Sequence, residues 1–273
     1  MSATKLMRIR YNSAYKMSAA KLMRIRYISD LHLEFNTRNK FPTIENCTED
    51  VCILAGDIGN PYKPNYNLFF KDIATKFEKI FVITGNHEYY YNDVKETDTY
   101  LTEYFKQYPN ITFLNNSFEI YKNHCFIGST LWSNISLNLQ QYVTNDMFNI
   151  KDFTIANYNA LHQDAVKFIS DTIKDNTNII MITHHSPSFS LIDAKYKGSK
   201  YNHCFYSHQD ELIKANNTKI KHWIYGHTHT PAVIDLYGVN FRCNPVGYPG
   251  ENPAVDFNKA FAVNHSVKNE PLN

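Results

Sequence analysis

Apolar residues along this chain gather in short unbroken runs, and stretches of helical periodicity separate them. The runs at 23–29 (MRIRYIS), 51–56 (VCILAG), 80–84 (IFVIT), 178–183 (NIIMIT) and 221–225 (KHWIY) are rich in Ile, Val and aromatic residues. Short runs of this kind read as strands buried in a sheet. Between them, apolar positions recur at helical spacing over 66–80, 93–108 and 156–175, and over the shorter 209–216. That spacing predicts amphipathic helices, the second opened by Asp93 as a cap. Residues 111–114, 117–121 and 124–132 read as consecutive strands, 233–245 as a hairpin turning at Tyr237-Gly238, and 260–263 as a last strand. Nothing in composition marks a linker, so residues 23–273 read as a single α/β domain.

The head of the chain stands apart. MSATKLMRIRY at 1–11 returns as MSAAKLMRIRY at 17–27, and only the second copy continues into ISDLHLEF. A repeat this short is no solenoid. Residues 1–22 are therefore expected to be a flexible duplicated extension or an artefact of the start, and deletion of residues 1–16 is expected to change neither folding nor activity; a functional basic arm is the other reading.

Composition narrows the partners. Among 273 residues the net charge is +2, with no block of like charge. That disfavours long nucleic acid and a polybasic membrane patch, and it leaves room for a small phosphorylated substrate. No apolar run approaches a membrane span, and no protein partner can be inferred. Five cysteines without a close pairing pattern read as reduced thiols, which points to the cytoplasm.

The chemistry lies where the runs stop. After 23–29 come Asp30 and His32; after 51–56, Asp57; after 80–84, Gly85-Asn86-His87-Glu88; after 178–183, His184 and His185; after 221–225, Gly226-His227-Thr228-His229. In open α/β sheets, ligands bind at the carboxyl ends of strands. Each motif alone is weak. Together, five strand ends carrying carboxylate, amide and imidazole suit transition metals better than calcium, which takes oxygen ligands only. The donors outnumber what one ion needs, and seven fit two ions sharing one carboxylate. Two such ions ~3.5–4 Å apart need a bridging anion, and water between them ionises near neutral pH. Gly56, Gly85 and Gly226 are expected to let the backbone turn sharply at each strand end.

These motifs, D-x-H, G-D, G-N-H-E, a strand-terminal His and G-H-x-H, occur in order over residues 30–229, and the sequence resembles the calcineurin-like metallophosphoesterase superfamily. The resemblance implies a four-layer α/β/β/α sandwich with a dimetal site at the carboxyl ends of the strands. It implies that Asp30, His32 and His229 hold one ion, that Asn86, His184 and His227 hold the other, and that Asp57 bridges. Mn, Fe or Zn are the expected ions, with Ni, Co and Mg as further candidates. It implies an intracellular hydrolase that cleaves a phosphate ester by attack of a metal-bridging hydroxide. His87 would protonate the leaving oxygen or stabilise the transition state rather than ligate, and Glu88 would orient a ligand. His184 is preferred to His185 because the family pattern uses the first histidine after the strand. Segments 126–134 and 243–252 resemble a small, poorly characterised subgroup and are expected to line the substrate side. Tyr89 and Arg242 join Asn86 and His87 as candidate substrate contacts. The Ser/Thr protein phosphatase pattern fails at Thr84, where that group carries arginine. Three rivals share these residues: a nuclease or cyclic-nucleotide phosphodiesterase, a catalytically silent scaffold, and a metal-storage protein.

Overall fold

A computed structural model describes residues 21–36, 44 and 51–265. The repeat's first copy and Cys47 lie outside the described residues. Among the described residues, eleven strands form two sheets. The first has the order β11-β1-β2-β3-β4, from β1 (Lys21–Ile28), β2 (Val51–Ala55), β3 (Lys79–Ile83), β4 (Ile111–Phe113) and β11 (Ala260–His265). The second has the order β5-β6-β7-β8-β10-β9, from β5 (Ser117–Tyr121), β6 (His124–Ser129), β7 (Ile179–Thr183), β8 (Ile220–Tyr225), β9 (Ala232–Leu236) and β10 (Val239–Cys243). β1 through β4 run parallel, as do β6, β7, β8 and β10. β1 begins two residues before the expected boundary, because Lys21 and Leu22 pair with His265 and Asn264 of β11.

The unbroken apolar runs follow from burial on both faces. In β2, Val51, Ile53 and Ala55 face the layer between the sheets, where Phe126, Ile180, Ile182 and Ile224 meet them from the other side. Cys52 and Leu54 face outward against Phe69, Phe70 and Ile73 of α1 (Pro64–Ile73) and Leu101 and Phe105 of α2 (Val94–Phe105). On the second sheet, Met181, Trp223 and Phe241 face Ala165, Ile169 and Ile173 of α4 (Ile155–Asp175), which follows the single-turn α3 (Asp146–Asn149), and Ile213 of α5 (Asp210–Asn216). The result is the four-layer α/β/β/α sandwich.

Local signals explain the boundaries. Asp93 caps α2 by accepting the Glu96 N–H, and Thr154 with Asn157 forms a capping box at the start of α4. Tyr237 and Gly238 both have positive φ, 56° and 79°, as a two-residue type I′ hairpin between β9 and β10 requires. Because β2 packs on β7 and β3 on β6 with their parallel ends aligned, the loops after β1, β2, β3, β7 and β8 meet at one edge.

Candidate metal centre

Backbone hydrogen bonds tie these loops together. Asp30 N donates to the Gly56 carbonyl at 3.0 Å, His32 N to that of Asp57 at 3.0 Å, and Gly226 N to that of His184 at 3.0 Å. Asp30, His32, Asp57, His227 and His229 all have positive φ, between 47° and 63°, a region that non-glycine residues enter at a cost. Of the three glycines expected to provide turns, Gly56 alone has positive φ, at 84°. Gly85 and Gly226 provide space instead. A Cβ at Gly85 would collide with the Asp57 carboxylate, and one at Gly226 would lie 2.7 Å from an oxygen of Asp30.

The side chains converge. Asp30, His32 and His229 form one group whose ligand atoms lie within 4.8 Å of one another, and Asp57, His184 and His227 form a second. Asp57 Oδ2 lies between them, 3.3 Å from His184 Nε2 and 3.8 Å from His32 Nε2. Asn86 Oδ1 is 3.2 Å from His184 Nε2. His185 faces elsewhere, with its ring nitrogens toward the Thr130 carbonyl and the Tyr158 hydroxyl. His87 Nε2 comes within 4.0 Å of Asp57 Oδ2, in a third group with His32.

Outer partners fix which ring nitrogen faces inward. His32 Nδ1 points to Glu34 at 3.2 Å, His229 Nδ1 to Glu251 at 2.7 Å, and His184 Nδ1 to the Ala55 carbonyl at 2.9 Å. Each of these partners only accepts, so each Nδ1 carries a hydrogen, and each Nε2 presents a lone pair whenever its ring is neutral. The consequence is a set of acceptors aimed at one another. His32 Nε2 and His229 Nε2 stand 3.0 Å apart, and His184 Nε2 faces both the Asn86 amide oxygen and Asp57. Only a cation, a proton or a metal ion, reconciles such contacts. Carboxylate, amide oxygen and imidazole in this arrangement are donors that could hold metal.

Charge bears this out. Asp30 and Asp57 are fully buried, and among the described residues their charged partners within 4.0 Å are histidines. Burial opposes charge on His184, but the Asp57 and Asp30 carboxylates override it and hold the imidazole pKa at about 10. Burial likewise opposes charge on His229, where Asp30 and Glu251 hold the pKa at about 9. His227 is pushed well below the usual range by burial and by His185 and His184, and is neutral. The site stores positive charge on some imidazoles and keeps others as free donors.

Several supporting residues were not read from the sequence. Asp146 Oδ1 accepts from Asn86 Nδ2 at 2.8 Å and from the Tyr90 hydroxyl at 2.8 Å, which turns the amide oxygen of Asn86 inward. Sixty positions separate Asp146 from Asn86, and no motif links them. Glu34 receives both His32 Nδ1 and His87 Nδ1, the latter at 2.8 Å. Its place two residues after His32 was the available signal. Glu88, expected to orient a ligand, accepts from the backbone N–H groups of Asp57, Ile58 and Gly85 at 3.1, 2.7 and 2.7 Å. It pins the loop that carries Asp57.

Two expected substrate contacts lie away from the cluster. Tyr89 is buried, bonded to Thr84 and Asp98 and packed on Trp132. Its neighbour Tyr90 instead lines the cavity, stacked on His87 with ring centroids 4.1 Å apart. Arg242, on β10, lies over the Phe261 ring at 4.7 Å, outside the cavity lining, because its side chain points into the layer between the sheets beside Ile224. Segment 243–252 supplies Tyr248 and Glu251 to the cavity wall. In segment 126–134, Trp132 packs behind the cavity in an apolar cluster. The cavity, about 610 Å³, opens on Asp57, Asn86, His87, His227 and His229.

The fold and this strand-end cluster are those expected of a family named for phosphoesterases, and the cluster offers side chains that could hold metal. The family model described as calcineurin-like phosphoesterase matches residues 23–231, and the chain belongs to that family. An uncharacterized protein of Acanthamoeba polyphaga mimivirus is 33% identical over 257 residues, covering 82% of this chain and 91% of that protein. Among solved structures, the phosphopantetheinyl hydrolase of Mycobacterium tuberculosis superposes with a TM-score of 0.71 at 18% identity, covering 93% of this chain and 98% of that one. A protein of Thermus thermophilus gives a TM-score of 0.53 at 12% identity, over 82% of this chain and 90% of that one. No described helix is long and apolar enough to cross a membrane.

Proposed function

We propose that this protein is a dinuclear-metal phosphoesterase acting on a small phosphate ester. The observation that carries the reading is the set of opposed acceptors: the Nε2 atoms of His32 and His229, and His184 Nε2 against Asn86 and Asp57. Asp30, His32 and His229 would hold one ion, Asn86, His184 and His227 the other, and Asp57 would touch both. Mn, Fe or Zn suit these donors best. When bound, such a pair supplies Lewis acidity toward phosphate oxygens and lowers the pKa of water from ~15.7 toward ~7.

The remaining chemistry belongs to side chains. His87 keeps its Nδ1–H on Glu34, and its Nε2 looks into the cavity, 3.3 Å from the Tyr248 hydroxyl. Burial disfavours charge on His87, yet Asp57 and Glu34 raise its pKa. The ring can therefore carry a proton at Nε2 and deliver it to a leaving oxygen. Tyr90 stacks on the ring and, through Asp146, links its position to that of Asn86.

Asp57→Asn and His227→Ala are expected to bind less metal and to lose turnover of 4-nitrophenyl phosphate. Elemental analysis and a rate assay check both, with bis(4-nitrophenyl) phosphate, cyclic nucleotides and a phosphopantetheinyl ester, the substrate class in the Mycobacterium neighbour's name, in the same panel. A fully metal-exposed wild type that retains no transition metal would end this reading.

A further inference from the structure

The cavity extends well beyond the candidate metal centre, and its far wall has a definite chemical character. Two loops build it, one across 143–146 and one across 192–205. Val143, Ile192, Tyr196, Tyr201 and Phe205 supply apolar and aromatic surface, and Asn145 and Ser199 supply amide and hydroxyl groups. The charged side chains of the lining beyond the candidate ligands and His87 are acidic: Asp193 on the 192–205 loop, and Asp146 and Glu251, which are bonded to Asn86 and His229 at the candidate metal centre. Among the described residues, no lysine or arginine lines the cavity, although the chain has 28 of them.

The lysines of the same loop stay outside the lining, although one of them lies against a ring that belongs to it. Lys195 Nζ lies 4.7 Å from the Tyr196 ring centroid, Lys197 Nζ 5.9 Å from that of Phe189, and Lys200 Nζ 3.2 Å from the Tyr142 hydroxyl. A second anionic group on a substrate would therefore enter a wall of rings and acids whose described lining holds no lysine or arginine. It would leave its hydration shell there without a lining lysine or arginine to compensate it, which is costly in a concave site.

We infer that the substrate carries a single anionic group, the phosphate ester, on an uncharged organic arm with amide or hydroxyl functions, and that the 143–146 and 192–205 loops bind this arm. The inference rests on the phosphoesterase reading and narrows it. A volume of about 610 Å³ suits an arm of ordinary small-molecule size. Polyphosphates, bisphosphates and polynucleotides are excluded as good ligands by the same wall.

The test uses full-length, manganese-loaded protein and two non-hydrolysable probes, benzylphosphonate and its 4-carboxy analogue, measured by titration calorimetry. These differ by one carboxylate placed away from the phosphonate. Benzylphosphonate is expected to bind at least about tenfold more tightly, a difference of roughly 1.4 kcal/mol. Ser199→Lys, at an exposed position of the wall, is expected to shrink that ratio several-fold by supplying the missing cation. Equal or tighter binding of the carboxylated probe to the wild type overturns the inference, and so does a ratio unmoved by Ser199→Lys. Neither outcome depends on turnover. Absence of hydrolysis across the ester panel would count against the phosphoesterase reading instead.

Discussion

At the scale of single residues, the site is a problem of holding acceptors against one another. Five of its side chains sit on left-handed backbone, where the strain is offset by contacts such as His227 N to Asp30 Oδ1 at 3.0 Å and His87 N to Asp57 Oδ1 at 2.8 Å. Two substitutions separate holding from reacting. Asp146→Ala frees the Asn86 amide to rotate. It is expected to weaken metal binding by roughly 10–100-fold, the usual effect of removing an outer partner of a ligand, as read by equilibrium dialysis. His87→Ala is expected to leave metal content near wild type and to slow hydrolysis by about 10²-fold or more for a poor leaving group, and by less for 4-nitrophenolate. Loss of metal from His87→Ala would instead make His87 a ligand, as its place in the third group allows. The gathering of Asp30, His32, Asp57, Asn86, His184, His227 and His229 was legible in the sequence, since each stands within four residues of the end of an apolar run. Asp146 and Glu251 were not, because their pairings are made by the folded chain across 60 and 22 positions. Which tyrosine of the run 89–91 lines the cavity was not legible, because Tyr89 closes the 3₁₀ turn His87–Tyr89 facing the interior while Tyr90, just past it, reaches the cavity, and periodicity says nothing of which side is open.

At the scale of elements, strands position the chemistry and helices cover it. The five expected ligand-bearing strands are present, since an unbroken apolar run long enough for a strand and closed by glycine or a polar residue has few other solutions in an α/β fold. The glycines were misread in part. Gly85 is required by the closeness of the β2 and β3 loops, a packing fact that no local pattern encodes. Gly85→Ala is therefore expected to displace Asp57 and deplete metal, while a cap substitution of similar size acts differently. Asp93→Ala removes the bond to the Glu96 N–H at the start of α2. It is expected to cost about 1 kcal/mol, seen as a drop of roughly 2–4 °C in Tm at this size, with metal content and rate at 25 °C unchanged. If both variants lost metal equally, the coupling between sheet edge and site would be general destabilisation rather than geometry.

At the scale of the whole molecule, folding and metal binding share the same protons. In the metal-free protein, imidazolium at His184 and His229 would reconcile the opposed acceptors. His184 is raised from the ordinary 6.5 to about 10 and His229 to about 9. A histidine whose pKa is higher in the folded state contributes stability fully below its unfolded value and loses it as pH rises through the folded one. Glu88, pushed up to about 8 by burial and the nearby Asp57 against the backbone N–H bonds from Gly85 and Ile58, acts in the same direction. A buried carboxyl that must ionise weakens the fold as pH climbs. Asp30 and Asp57 titrate below the ordinary carboxylate range, so their contribution is constant above pH ~5. Chelator-treated protein is therefore expected to lose thermal stability steadily between pH 6.5 and 10. Metal ions take the place of those protons and need deprotonated imidazole. The Tm increment from added manganese should accordingly grow with pH, from small at pH 6 to largest near pH 9. Calorimetric melts at pH 6, 7.5 and 9, with chelator and with excess manganese, check both slopes. A metal-free Tm that stays flat or rises over that range would mean that the imidazoles at the sheet edge are neutral in the folded protein, and that the inward-facing nitrogens of His32 and His229 move apart when no ion joins them.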